Sequence, residues 1–294
     1  MINKVLLCMC ASFVLFSSCT SDADEKNVET SVGNQQSKSM VGIIDGKIFS
    51  VPSPYEFISF INELGISYNH SLINSVNNKK LYESNVKKCI NFGVYGIDVA
   101  YVTVFEQTST ALTYFSVLKQ LSEEIGLSQV FDAKTIERLE NNMHLQDSLL
   151  IILTKTYREA DKRLKNEKQK EEAAFIIAGS WIESLYLLTQ IQKEKPNKKI
   201  VEKIAEHKYY ADNVLALLRP YYEKSEEHKK IIDGIIEICY QFDGVNSQYT
   251  YTEPVTYPQL KRTVIQSDTK LDIYTEHLQN ITIFTEKLRN SIVN

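Results

Sequence analysis

Asn91-Phe92-Gly93-Val94-Tyr95-Gly96-Ile97-Asp98-Val99-Ala100-Tyr101 lies within thirty residues, between Lys88 and Lys119, whose only charges are Asp98 and Glu106. A segment this apolar does not suit a protein surface, and its two acids make it a poor bilayer span. It reads as a central helix of a core. A second stretch, Ala173 to Ile191, carries one charge, Glu183, and reads the same way. The two share a pattern: Ile97-Asp98-Val99-Ala100-Tyr101 echoes Ile182-Glu183-Ser184-Leu185-Tyr186, 85 residues later. Acid and tyrosine three apart occupy one helix face. Gly93, Gly96 and Ala100 form a small-residue strip that lets another helix approach closely.

An acid inside such a helix is costly unless it is hydrogen-bonded or paired. Two readings follow. In one, Asp98 and Glu183 bond tyrosine hydroxyls, a lysine or exposed backbone amides, and set helix register. In the other, Asp98, Tyr101, Glu183 and Tyr186 form a polar pocket for a cation or small ligand, or the site of an envelope enzyme.

Outward from these helices, apolar residues recur at steps of three and four. One row is Ile136, Leu139, Met143, Leu150, Leu153, Tyr157, Ala160 and Leu164, interrupted by Gln146. Others run Ile200, Ile204, His207, Ala211, Val214, Leu218, Tyr221 and Leu260, Val264, Ser267, Leu271, Tyr274, Leu278, Ile281. This spacing predicts an all-α fold: an antiparallel bundle of roughly eight helices, either one bundle or two units sharing one core. Long coiled coils are the competing reading of the same rows.

Boundaries have local causes. Pro54 suits a first helical position with Ser53 as N-cap, after a short extended segment, Ile43 to Val51. Lys162, Arg163 and Lys165 close a helix where Glu167, Glu171 and Glu172 open the next, although one continuous helix also fits. Asn197, after Pro196, caps another helix. Residues 244–258 form the longest interior non-helical connector, with Tyr249, Tyr251 and Tyr257 as a candidate contact loop for a glycan or peptide. The alternative is that these rings pack across the bundle ends.

The amino end supplies an address. Lys4 precedes an apolar run, Val5 to Phe16, too short to cross a bilayer, and Ser17-Ser18-Cys19 ends it. Residues 1–18 are read as a lipoprotein signal, with Cys19 carrying acyl chains such as palmitate. Residues 19–42 form a flexible acidic stalk, and 43–294 the helical domain. Thr20-Ser21-Asp22-Ala23-Asp24-Glu25 resembles the acidic export tag of Bacteroidota surface lipoproteins. That resemblance implies the outer membrane, facing outward.

Without residues 1–18, which hold one base (Lys4), the 33 Lys and Arg fall to 32 against 37 Asp and Glu. No basic patch suits a phosphate backbone, so nucleic acid is not expected as a partner. Cys89 and Cys239 are the cysteines left beyond Cys19. They are read as two buried thiols, with a single bridge as the alternative.

Val51-Pro52-Ser53-Pro54, the 91–101 stretch quoted above and Trp181-Ile182-Glu183-Ser184-Leu185-Tyr186 together resemble an uncharacterised family of all-helical Bacteroidota outer-membrane lipoproteins. The resemblance implies the anchor and the helical fold, and carries no activity.

Recognisable chemistry is sparse. None of the five histidines has the Glu three residues earlier that a di-iron bundle uses. Glu140 and His144 share a face but make a poor metal site, and His207 sits in an apolar row as a core or boundary histidine. No phosphate loop, nucleophile elbow or zinc-protease motif occurs, so neither a cofactor nor a metal is expected. Asp147-Ser148-Leu149 resembles the O-glycosylation site of exported proteins in the same bacteria, which makes Ser148 a candidate. The expected function is binding or interaction at the envelope, with a partner protein, a glycan or a small ligand. An envelope enzyme and a ligand-free scaffold are the alternatives.

Overall fold

A computed structural model describes residues 39–44, 47–52, 54–131 and 169–294, with isolated helical positions at 134, 137 and 162. Cys19, the 136–164 row, Glu140, His144 and Ser148 lie outside the described residues. Ser37–Asn294 is one compact unit.

Among the described residues there are eight α-helices: α1 (Pro54–Leu64), α2 (Asn85–Val104), α3 (Thr108–Glu124), α4 (Lys170–Glu194), α5 (Lys198–Glu206), α6 (Lys208–Leu218), α7 (Glu226–Phe242) and α8 (Thr275–Val293). The apolar stretches from which the fold was read are α2 and α4. Nearly every residue of each is buried inside the protein. α4 is long and apolar enough to cross a membrane, yet it is enclosed by its neighbours.

Side-chain caps start several helices, satisfying amides that the first turn leaves unpaired. Ser84 Oγ accepts from Lys87 N (3.0 Å), Asn197 Oδ1 from Lys199 N (2.9 Å) and Ser225 Oγ from His228 N (3.3 Å). The row from Ile200 to Leu218 is buried throughout, but the helix breaks at His207, where His207 N bonds Ile204 O in a tighter turn.

α2 and α4 meet backbone to backbone. A Cβ on Gly93 would lie 2.1 Å from Ile176 O, and one on Gly179 would lie 1.9 Å from Ile90 O. Ser180 Oγ donates across the seam to Gly93 O (3.3 Å). Glycine is required at both places because no side chain fits there. Asn85 Nδ2 bonds Glu172 Oε1 (3.2 Å), so successive contacts climb both helices together. The central pair is therefore parallel, which corrects the antiparallel expectation for it. α3 follows α2 through a three-residue turn, 105–107, and doubles back along it, so that Glu124 reaches Lys88 (3.0 Å). α8 runs antiparallel to the pair: Asn91 Nδ2 donates to Ile292 O (3.0 Å) at one end, and Lys193 reaches Glu286 (3.2 Å) at the other.

The fold is mainly helical but not all-α. Three two-stranded antiparallel ladders are present. β1 (Ser39–Ile44) and β2 (Lys47–Pro52) form a hairpin where one extended segment was expected. β3 (Val245–Thr250) pairs with β6 (Asp268–Ile273), and β4 (Val255–Tyr257) with β5 (Arg262–Val264). Together they make a ribbon from 245 to 273. The expected helix through Leu260, Val264, Ser267 and Leu271 does not form: Leu260 ends a short 3₁₀ turn, and only Leu278 and Ile281 of that row are α-helical. The reason is local: Thr256, Thr263, Val264, Thr269 and Ile273 are β-branched, and Pro254 and Pro258 obstruct a helix.

Candidate functional site

Asp98 on α2 and Glu183 on α4 are both fully buried and meet at the parallel seam. Arg289, from α8, completes the group. Its Nε and Nη2 donate to Glu183 Oε2 (3.0 Å) and Oε1 (2.9 Å), a bidentate pair. Its guanidinium carbon lies 4.5 Å from the centre of the Tyr186 ring. Burial, and then the Glu183 carboxylate, hold the Asp98 carboxyl well above the usual carboxylate range, against the pull of Arg289 and the Asn74 amide. A neutral Asp98 explains its geometry. Oδ2 accepts from Asn74 N (3.1 Å), while Oδ1, which no donor reaches, is free to carry the proton toward Glu183. The trio is then charge-neutral: one acid, one carboxylate and one guanidinium.

The network serves a stretch of irregular backbone. Between α1 and α2, two short 3₁₀ turns, His70–Leu72 and Val76–Leu81, bring Leu72, Ile73 and Asn74 into the core. Buried backbone polar groups there need partners. Arg289 Nη2 donates to Leu72 O (3.4 Å), Tyr114 Oη to Asn74 O (2.5 Å) and Tyr95 Oη to Ser75 O (2.8 Å). Asp98 accepts from Asn74 N, and Tyr101 Oη accepts from Asn69 N (3.1 Å). Asn74 itself donates to Tyr82 Oη (2.9 Å) and accepts from Asn78 Nδ2 (2.9 Å). Acids, arginine and tyrosines together clasp residues 69–75.

The four candidate pocket residues thus separate into roles. Asp98 and Glu183 touch, Tyr186 lies under Arg289, and Tyr101 turns to the Asn69 amide. None of the four lines the cavity between α6 and α7, the one beside residues 70–77 or the one beside Glu202 and Asp268. Among the described residues, no three His, Cys, Asp or Glu side chains come together as metal ligands would. Cys89 and Cys239 are free thiols, so no bridge joins them.

His207 is buried beside Trp181, their ring centres 6.2 Å apart, and its Nδ1 has no partner. Burial, and then Lys203, push its pKa down to about 3.

Arg289, Asn74, Tyr95 and Tyr114 are site residues that the sequence reading did not single out. Arg289 had a signal: it lies beside the stripe Ile281, Thr285, Leu288 and Ile292 of α8, where a cation calls for a buried acid. Asn74 had none, because nothing local marks a loop that enters a core.

The other candidate group lies on the ribbon. Tyr249, Tyr251 and Tyr257 are 64%, 67% and 45% exposed, and Leu260 and Ile265 exceed them at 70% and 72%. Of the ribbon strands, only Val245 is fully buried. The rings therefore do not pack across the bundle ends. No family model, no curated protein and no solved structure matches this chain.

Proposed function

We propose that this chain is a lipid-anchored binding protein of the bacterial envelope, tethered through acylated Cys19 at the outer membrane, with the 245–273 ribbon as its contact surface. The observation that carries the reading is the ribbon's exposure. An isolated two-stranded ladder is marginal in water, and among the strand residues of this one only Val245, Leu271 and Ile273 pack against the hydrophobic core. Each of its strands has a free edge among the described residues, able to accept a further strand. Exposed tyrosines beside Leu260 and Ile265 supply rigid apolar contact area. Acids and bases balance along the ribbon, with Glu253, Asp268 and Asp272 against Lys261, Arg262 and Lys270. That favours an uncharged protein surface as partner over a polyanion.

The enzyme alternative, built on Asp98 and Glu183, receives less support. Arg289 holds both Glu183 oxygens, the Asn74 amide holds one Asp98 oxygen, and a substrate would have to displace the 69–75 clasp. A scaffold without ligand leaves the exposed ribbon unexplained.

Two measurements test the reading. Metabolic labelling with a palmitate analogue is expected to mark the full chain and not Cys19→Ala. A photo-crosslinker at Tyr251, in intact envelopes, is expected to capture one defined protein that a crosslinker at Lys230 on α7 does not. The Tyr249→Ser/Tyr257→Ser background should abolish that capture. Equal capture from both positions, or acylation-independent recovery in the medium, would sink the proposal.

A further inference from the structure

Between α6, the Arg219–Lys224 3₁₀ turn and α7 lies an open cavity of about 670 Å³, within the range of small-ligand sites. Its floor is apolar, made by Leu215, Ile232, Ile236 and Cys239. Asp212 and Asp243 stand over that floor. Both act electrostatically on the Cys239 thiol, which burial and these two carboxylates push up to about 12.

Their charges are not spent within the protein. Glu223 on the same rim pairs with Lys229 (2.9 Å), whereas Asp212 and Asp243 form no ion pair among the described residues. Asp243 also occupies the C-cap of the 17-residue α7, where unpaired carbonyl ends add negative potential. Tyr240, 67% exposed, offers its ring at the same opening, whereas the Tyr222 ring already carries Lys229 Nζ, 6.0 Å from its centre. Arg219 is the one cation in the lining. An apolar floor beneath two unspent carboxylates, a helix C-terminus and the Tyr240 ring selects for a positive head on an apolar body.

We propose that this cleft binds a small amphipathic amine, its chain lying over Ile232, Ile236 and Leu215 and its ammonium held between Asp212 and Asp243. The inference is independent of the ribbon, with which the cavity shares no residue.

The full chain would be titrated calorimetrically with octylammonium and with octanoate, two ions of like chain and opposite charge. Octylammonium is expected to bind at least about tenfold more tightly, as attraction to two partly screened carboxylates implies. Asp212→Asn/Asp243→Asn changes two exposed side chains, so the fold should persist while octylammonium binding falls by about tenfold. Absence of binding, equal affinity for the two ions or unaltered binding by the double variant would each overturn the proposal. Crosslinking from Tyr251 reads the ribbon separately, so the failure of one proposal is distinguishable from the failure of the other.

Discussion

The α2–α4 centre and the 245–273 ribbon use tyrosine in opposite ways. Tyr95 and Tyr101 are completely buried and Tyr114 nearly so, each with its hydroxyl committed to backbone of the 69–75 segment. On the ribbon, Tyr249, Tyr251 and Tyr257 leave roughly half or more of their surface in water. In the core, the ring supplies buried area and the hydroxyl resolves a backbone deficit, so both ends contribute to stability. On the ribbon neither end is used internally. The buried rings support the fold and the ribbon rings do not, so perturbing the ribbon should leave the core largely intact.

Arg289→Met should break the core most severely. It strands Glu183 as an uncompensated buried carboxylate, at a cost of about 3–5 kcal/mol read from urea unfolding. Adding Glu183→Gln should recover much of that loss, and a failure to recover would show that packing, not charge, dominates. Gly93→Ala comes next. Its methyl would meet Ile176 O, forcing the parallel helices apart for about 3 kcal/mol, with a matching fall in melting temperature.

Acid should attack the core through His207. Its folded pKa is depressed to about 3 while the unfolded chain titrates near 6.5. The unfolded state therefore binds the extra proton first, and stability falls as pH drops through that window. The slope is about 1.4 kcal/mol per pH unit, and it should vanish in a His207→Gln variant that still folds.

Asp98 has the opposite sign. Its folded pKa is raised, so its contribution is complete below the unfolded value near 4 and is lost as pH rises toward the folded one. Asp98→Asn keeps an acceptor for Asn74 N and a donor for Glu183. It should raise stability at pH 7, where the unfolded Asp98 ionises and the folded one does not, while flattening that decline.

The smallest effect belongs to the ribbon. Tyr249→Ser/Tyr251→Ser should leave unfolding within about 0.5 kcal/mol of the parent. A loss of several kcal/mol would mean that the ribbon supports the core after all.

Much of the core was legible because burial leaves a one-dimensional trace. Thirty residues with two charges can hardly be anything but interior, and Gly93 announced a close approach before its partner was known. The partner's own glycine, Gly179, passed unnoticed because no small residue stands three or four positions from it, so it forms no strip along the helix. The 260–281 row misled for a related reason. Apolar residues at helical spacing are also produced by a ribbon whose exposed Leu260 and Ile265 face outward. Periodicity reports that residues are apolar, not that they are buried, and here the β-branched residues and the two prolines were the better guide.

From its residues alone, this chain determines that α2 and α4 are interior helices, that Asn197 begins another, and that Asp98 and Glu183 lie in the interior. Those properties depend on neighbours within a turn or two. Three-dimensional packing alone decided that α2 and α4 run parallel, that Arg289 neutralises Glu183, that Asp98 supports the 69–75 backbone, and that the ribbon's tyrosines stay in water. Each of these depends on which distant groups share a low-dielectric space, and ion pairing and desolvation act through distance in that space, not along the chain.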